Sequence, residues 1–315
     1  MEEHFHQSTK LPKETLKELM KRSDSPGLLR MLLMFTLFFG SAICVVYSWS
    51  FSFLWILLAQ LAFGLMCCSV FAFVHETVHK TAFKSKFLNE FGARLGGLVH
   101  LYPATAFQEL HFTHHRYTHI PGKDPEISMG NKPLPSVINQ LPSYLVWITG
   151  IPLLIFKILM LLMGAIGMPE SIRKILFPFV RPEVRVSLML ESCFILFVHI
   201  GLLYLAINID QGFYGLFIGQ VVGHCILATY LVPEHNGLPH EGDILDKTRS
   251  MKTNRFVRYF MWNMPYHAEH HAYPAIPFHA LPKMHELINE ELKHKDESYT
   301  DFHLKVMAGE FKEKK

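Results

Sequence analysis

The chain has 315 residues, half of them apolar, with a mean hydropathy of +0.19 and 18% charged residues, below the roughly 25% usual in soluble domains. A formal charge of +3 with no aromatic-interleaved basic patch argues against a nucleic-acid partner. The five cysteines (Cys44, Cys67, Cys68, Cys193, Cys225) all fall in apolar segments and none forms a C-x-x-C pair, which argues against disulfides and against a fused rubredoxin-like iron site.

The first 27 residues are polar and charged, unlike a cleavable signal peptide, and Lys13 to Arg22 reads as a short amphipathic helix on a membrane surface. No Asp, Glu, Lys or Arg occurs from Met31 to Val74. A bilayer crossing takes about 20 residues, so this run predicts two spans, 28–48 and 52–74, joined at Ser48-Trp49-Ser50 with Trp49 and Trp55 as interfacial anchors. Basic residues precede the first span (Lys10, Lys13, Lys17, Lys21, Arg22, Arg30) and follow the second (Lys80, Lys84, Lys86, Arg94), which puts both ends of this hairpin in the cytoplasm. The stretch 141–168 is apolar but carries Gly150, Pro152, Lys157, Gly164 and Gly167; a crossing there would reverse everything downstream, so it reads as interfacial or re-entrant. Apolar stretches 187–207 and 212–232 flank the polar turn Asn208 to Gly212, which carries no Lys or Arg, with Arg173, Lys174, Arg181 and Arg185 before them and Lys247, Arg249 and Lys252 after. The expected architecture is a single all-α integral membrane domain over 1–315. Two transmembrane hairpins carry interfacial helices and a cytoplasmic His-rich cap, and a charged tail, 292–315, lies at the surface or is disordered. The expected place is the cell membrane, with both termini and the active site cytoplasmic.

Three histidine clusters follow the hairpins: His75 and His79; His111, His114 and His115; His267, His270 and His271. Neutral imidazole is the commonest protein metal ligand, and residues at i, i+3 and i+4 share one helix face. Eight rings suit two ions better than one, because a single ion rarely takes more than about six ligands. His75-Glu76-Thr77-Val78-His79 alone also fits a zinc protease with Glu76 as base, but such a site needs only one further ligand and leaves two clusters unexplained. A metal transporter would place its ligands within spans near the midplane, whereas these lie outside the apolar runs.

In order, spacing and position the boxes H75-E-T-V-H79, H111-F-T-H-H115 and H267-A-E-H-H271 resemble those of the membrane-bound fatty acid desaturase and hydroxylase superfamily, over residues 30–290. The segments His75 to Glu90 and Asn263 to His279 look most like bacterial desaturases, including the dihydrorhizobitoxine desaturase-like branch. The resemblance implies a centre of two Fe ions that uses O2 as co-substrate to desaturate a fatty-acyl or related lipid chain; zinc is a possible substitute in recombinant material. The alternative is hydroxylation of an alkane- or carotenoid-like chain at the same site. It further implies a ninth ligand, His235, and a division in which one ion takes His75, His79, His115 and His271 and the other His111, His114, His235, His267 and His270. Without a fused redox domain, electrons must come from an external ferredoxin-, rubredoxin- or cytochrome b5-like protein, docked on a basic face that includes Arg94, Arg116, Lys123 and Arg173.

Glu76, Glu109, Glu234 and Glu269 each adjoin a ligand and either orient an imidazole or face solvent. His119 reads as a ligand or a ligand's support, and His240 as a support for His235. His199 and His224 read as rings bonded to neighbouring helices, while His4, His6, His100, His279, His285, His294 and His303 read as surface or interface residues. Asp124-Pro125-Glu126 reads as a turn.

Overall fold

The computed structural model describes residues 11–296 and 298–311. The chain is mostly helical; the β-structure among the described residues is two pairs of two-residue strands, Ser128–Met129 antiparallel to Lys132–Pro133 and Ser250–Met251 parallel to Lys295–Asp296. Four helices are long and apolar enough to cross a membrane: α2 (Ser25–Ser48) and α3 (Phe53–Val78), preceded by the short α1 (Lys13–Leu19), and later α9 (Arg185–Asn208) and α10 (Tyr214–His235), each of the last two entered through a 3-10 turn. Both hairpins therefore exist where unbroken apolar runs were read. Helix α3 does not stop with its apolar run but continues to Val78, carrying His75 beyond it.

The four are not equivalent. The apolar windows of α3 and α10 are 67% and 50% buried, against 22% and 17% for α2 and α9, so the first two form the interior and the others face lipid. The reason is a stripe of small residues on α10, Gly215, Gly219 and Gly223, spaced one per helical turn. An added Cβ at Gly223 would lie 2.7 Å from Cys67 Cβ, and one at Gly64 of α3 would lie 3.2 Å from Gly223 N. Bare backbone on both sides lets the two helices approach closely, which sets the separation of the histidines at their ends.

Between the hairpins come α4 (Lys86–Val99), α5 (Ala104–Tyr117), α6 (Leu141–Ile148), α7 (Ile151–Ala165) and α8 (Glu170–Leu176). The apolar stretch 141–168 is two helices bent by 58° at Gly150, whose φ is +70° and whose added Cβ would lie 2.3 Å from the His224 carbonyl carbon. On α7, Lys157 is fully buried and its Nζ donates to His100 Nδ1 (3.3 Å) and His224 Nε2 (3.2 Å). Each ring is held as an acceptor because its other nitrogen donates to a backbone carbonyl, of Cys67 and Gln220 respectively. His100 is thus an interior residue, not the surface one its sequence context suggested. His199 bonds to Ile195 O of its own helix.

The cap is completed by α11 (Arg255–Phe260), α12 (His267–Ala272), α13 (Leu281–Ile288) and α14 (Tyr299–Ala308). Two expectations about the ends of the chain need correction. Helix α1 ends at Leu19, short of Lys21 and Arg22, and Leu19 is buried with Leu245, Ile276, Leu281 and Met284, so α1 is clamped to the cap as well as amphipathic. The charged tail is not simply exposed: Phe302 and Val306, one turn apart on α14, are buried with Ile138, Tyr144 and Val232, because even a charged helix buries an apolar stripe. The cysteines are free: Cys67 and Cys68 are buried, whereas Cys44 and Cys193 lie exposed on the outward-facing α2 and α9.

Candidate metal centre

Four structural elements deliver nine imidazoles to one place. Helix α3 carries His75 in its last turn and His79 at its cap; α5 carries His111, His114 and His115; α10 ends on His235; α12 carries His267, His270 and His271 and stops two residues before Pro274. The i, i+4 spacing puts His111 and His115 on one face of α5, with their Nε2 atoms 3.0 Å apart. His114, a neighbour of His115, points elsewhere.

The rings form two groups. Ligand nitrogens of His75, His79, His111, His115 and His270 all lie within 4.8 Å of one another, and so do those of His114, His235 and His271. In the first group His111 Nε2 is 2.8 Å from His79 Nε2, and His270 Nε2 is 3.2 Å from His115 Nε2. In the second, His114 Nε2 is 3.3 Å from His271 Nε2, and His267 joins through an Nε2–Nε2 distance of 2.8 Å to His235. Stacked rings of His115 and His271, with centroids 4.2 Å apart, form the seam between the groups.

All nine sequence-predicted residues meet, but they divide differently from the resemblance. His271 stands with His114 and His235, while His111 and His270 stand with His75, His79 and His115. Adjacent residues on a helix are turned about 100° from each other, which parts His270 from His271 and His114 from His115 in either division; the packing of α5 and α12 against α3 and α10 decides which ring joins which group.

The donor set fits bound metal. Cis ligands about 2.1 Å from an ion sit about 3.0 Å apart, and the observed nitrogen separations run from 2.8 to 3.3 Å with several ring planes near 90° to each other. Hydrogen bonding alone leaves the cluster incomplete: both nitrogens of His75 are buried and without a partner.

Electrostatics keep most of these rings neutral, the form that binds metal. Burial, and then neighbouring imidazoles, lower His79, His111, His115, His267 and His271 well below the ordinary value, and lower His270 to about 3. His114 is the exception. Burial opposes its protonation, but the charges of Asp124 and Glu126 outweigh burial and raise it to about 9.

Several groups outside the ligand set fix which nitrogen of each ring faces inward. His114 Nδ1 lies 3.0 Å from both carboxylate oxygens of Asp124, which also accept the backbone N–H groups of His119 (2.7 Å) and Glu126 (2.9 Å). His235 Nδ1 donates to Lys247 O at 2.8 Å, and His271 Nδ1 lies 3.3 Å from Thr118 Oγ1. Asp124 was read from the sequence as part of a turn. Its one available signal was being a carboxylate ten residues beyond His114, too far for any local periodicity to join them.

Of the four glutamates beside ligands, Glu234 alone approaches a ring in this set, at 3.6 Å from His267 Nδ1. The others brace segments: Glu76 accepts the Phe278 N–H (2.8 Å), Glu109 takes a two-pronged contact from Arg181, and Glu269 accepts from Ser250 Oγ and His285 Nδ1. With its carboxylate committed to Phe278, Glu76 does not stand as the base of a zinc protease. His119 and His240 lie ring against ring, tilted by 40° with centroids 4.3 Å apart, and their Nδ1 atoms donate to Pro239 O and His119 O, so they support the loop beside His235. Two residues of the basic face are already compensated, Arg94 by Glu90 and Glu191 and Arg173 by Glu170.

A family model for fatty acid desaturases matches residues 47–303, most of the chain, and the protein belongs to that family of membrane oxidoreductases. None of the curated proteins compared with it matches.

Proposed function

We propose that the protein is an O2-dependent di-iron desaturase of a fatty-acyl or related lipid chain. The observation that carries this is the convergence of nine imidazoles into two groups at the ends of the inner helices, with no carboxylate belonging to either group among the described residues. In this reading His75, His79, His111, His115 and His270 hold one ion and His114, His235, His267 and His271 the other. When bound, the pair of irons supplies the oxidising power to remove hydrogen from an unactivated C–H bond. The overall change removes two hydrogens from adjacent carbons, and with two electrons and two protons from outside reduces O2 to two waters. Hydroxylation by the same centre is the alternative, and product masses separate the two: loss of two hydrogens against gain of one oxygen.

The rest of the molecule suits a hydrophobic chain. Met66, Cys68, Ile226, Tyr230, Phe260 and Met261 line an apolar cleft between α3 and α10. At 1.5 Å per residue Cys68 lies about 10 Å before His75 and Tyr230 about 8 Å before His235, so a chain in the cleft runs toward the imidazoles from the membrane side. His79 and His115 are the ligands not fully buried, and an external electron donor would dock over them. The positive-inside pattern supports a cytoplasmic centre in the cell membrane. The segments His75 to Glu90 and Asn263 to His279 support a place near the bacterial, dihydrorhizobitoxine desaturase-like branch. Iron and zinc content together with Mössbauer spectra of anaerobically purified protein test the centre; one iron or none per chain in active protein defeats the reading.

A further inference from the structure

Arg30 lies in the second turn of α2, about 8 Å along the helix from Ser25, a depth at which arginines ordinarily extend outward to water and head groups. This one folds inward. Its Cζ lies 4.4 Å over the Tyr259 ring, 4.6 Å over Phe278 and 5.7 Å from the Trp262 ring centre. Its Nη1 is buried without a hydrogen-bond partner, and the side chain forms no ion pair among the described residues. Two neighbours share this condition: Trp262 Nε1 and His279 Nε2 are also buried and unpartnered. Phe278 links them, its ring 4.7 Å from that of Trp262 and 5.5 Å from that of His279. The acid in this region, Glu76, gives Oε1 to the Phe278 N–H instead.

Arg30 and Trp262 bring only donors and His279 can act as one, so the complementary ligand is an oxyanion. The guanidinium is the group best shaped to grip a carboxylate or phosphate. Because the site lies where α2 meets the cap at head-group depth, its ligand arrives from the bilayer. We propose that Arg30, Trp262 and His279 form a binding site for the anionic head group of a membrane amphiphile. This site is separate from the imidazoles and does not depend on the reaction proposed above.

The test is native mass spectrometry of the purified full-length protein and its Arg30→Gln and Arg30→Lys variants, each offered palmitate, dioleoylphosphatidylglycerol or hexadecanol. Losing charge-assisted hydrogen bonds should cut retention of an anionic probe by about tenfold or more in Arg30→Gln, with hexadecanol retention unchanged and Arg30→Lys largely preserved. A loss confined to palmitate identifies a single-chain acid, and one confined to phosphatidylglycerol a bilayer phosphate; either supports the site. Unchanged retention of both anionic probes overturns it and leaves Arg30 as a ring-stacked staple between α2 and the cap, as does an equal loss of hexadecanol. If Arg30→Gln does not fold, Trp262→Phe, which keeps the ring and removes the N–H, carries the same comparison.

Discussion

His114 turns one ring nitrogen to both oxygens of the buried Asp124 carboxylate, at 3.0 Å each, and the other to His271, 3.3 Å away across the second imidazole group. Asp124 therefore orients the ring and stabilises positive charge at that end of the centre. Asp124→Asn should weaken metal binding there by about 10- to 100-fold while leaving the first group loaded. Iron content during stepwise chelation measures this; loss of both ions together would contradict separate groups.

The division of the rings gives a second outcome. His111→Ala and His75→Ala should strip the same ion, and His114→Ala the other. Mössbauer spectra of the three variants compare directly: His111→Ala matching His114→Ala rather than His75→Ala would restore the division implied by the family resemblance.

The metal-free protein should lose stability in acid. His270, lowered to about 3, stays neutral in the fold but protonates in the unfolded chain near 6.5. Its contribution is full above that value and is lost as the pH falls toward about 3; those of His79, His111, His115, His267 and His271, also lowered by burial, are likewise full above the ordinary value and lost in acid. His114 has the opposite sign: raised to about 9, it stabilises fully below the unfolded value and loses this as pH rises through about 9. Thermal unfolding of chelated protein should show both limbs, and Asp124→Asn should flatten the alkaline one.

Gly150→Ala should destabilise the fold. Its φ of +70° disfavours any side chain, and the new Cβ would sit 2.3 Å from the His224 carbonyl carbon. Together these cost at least about 2 kcal/mol. A fluorescence melt reads this as a fall of several degrees; an unchanged Tm would mean that the α6–α7 bend is free to move.

Phe302→Ala should cost about 3–5 kcal/mol by emptying the pocket under α14, since Phe302 is fully buried. Trypsin sensitivity of the C-terminal segment measures it, and a variant as resistant as the parent would mean that α14 is not docked.

Much of this was legible locally. Met31 to Val74 is free of charge and long enough for two crossings, and no other environment suits such a run. The clusters declared themselves by i, i+3, i+4 spacing, which aligns side chains on any helix. What escaped was non-local: Asp124 on His114, the inward Lys157 between His100 and His224, and Phe302 beneath a charged helix. None of these pairings leaves a periodic trace, because each joins elements whose approach depends on packing elsewhere.

The sequence by itself determined the spans and the eight clustered candidate ligands, since those follow from burial of the backbone in lipid and from the pitch of a helix; the ninth, His235, came only from the family resemblance. The tertiary structure alone decided which imidazoles share a group. That depends on the close contact of α3 with the glycine stripe of α10 and on the angle at which α5 and α12 meet above them. Distance and direction between separate helices are properties of packing, and no spacing along a chain encodes them.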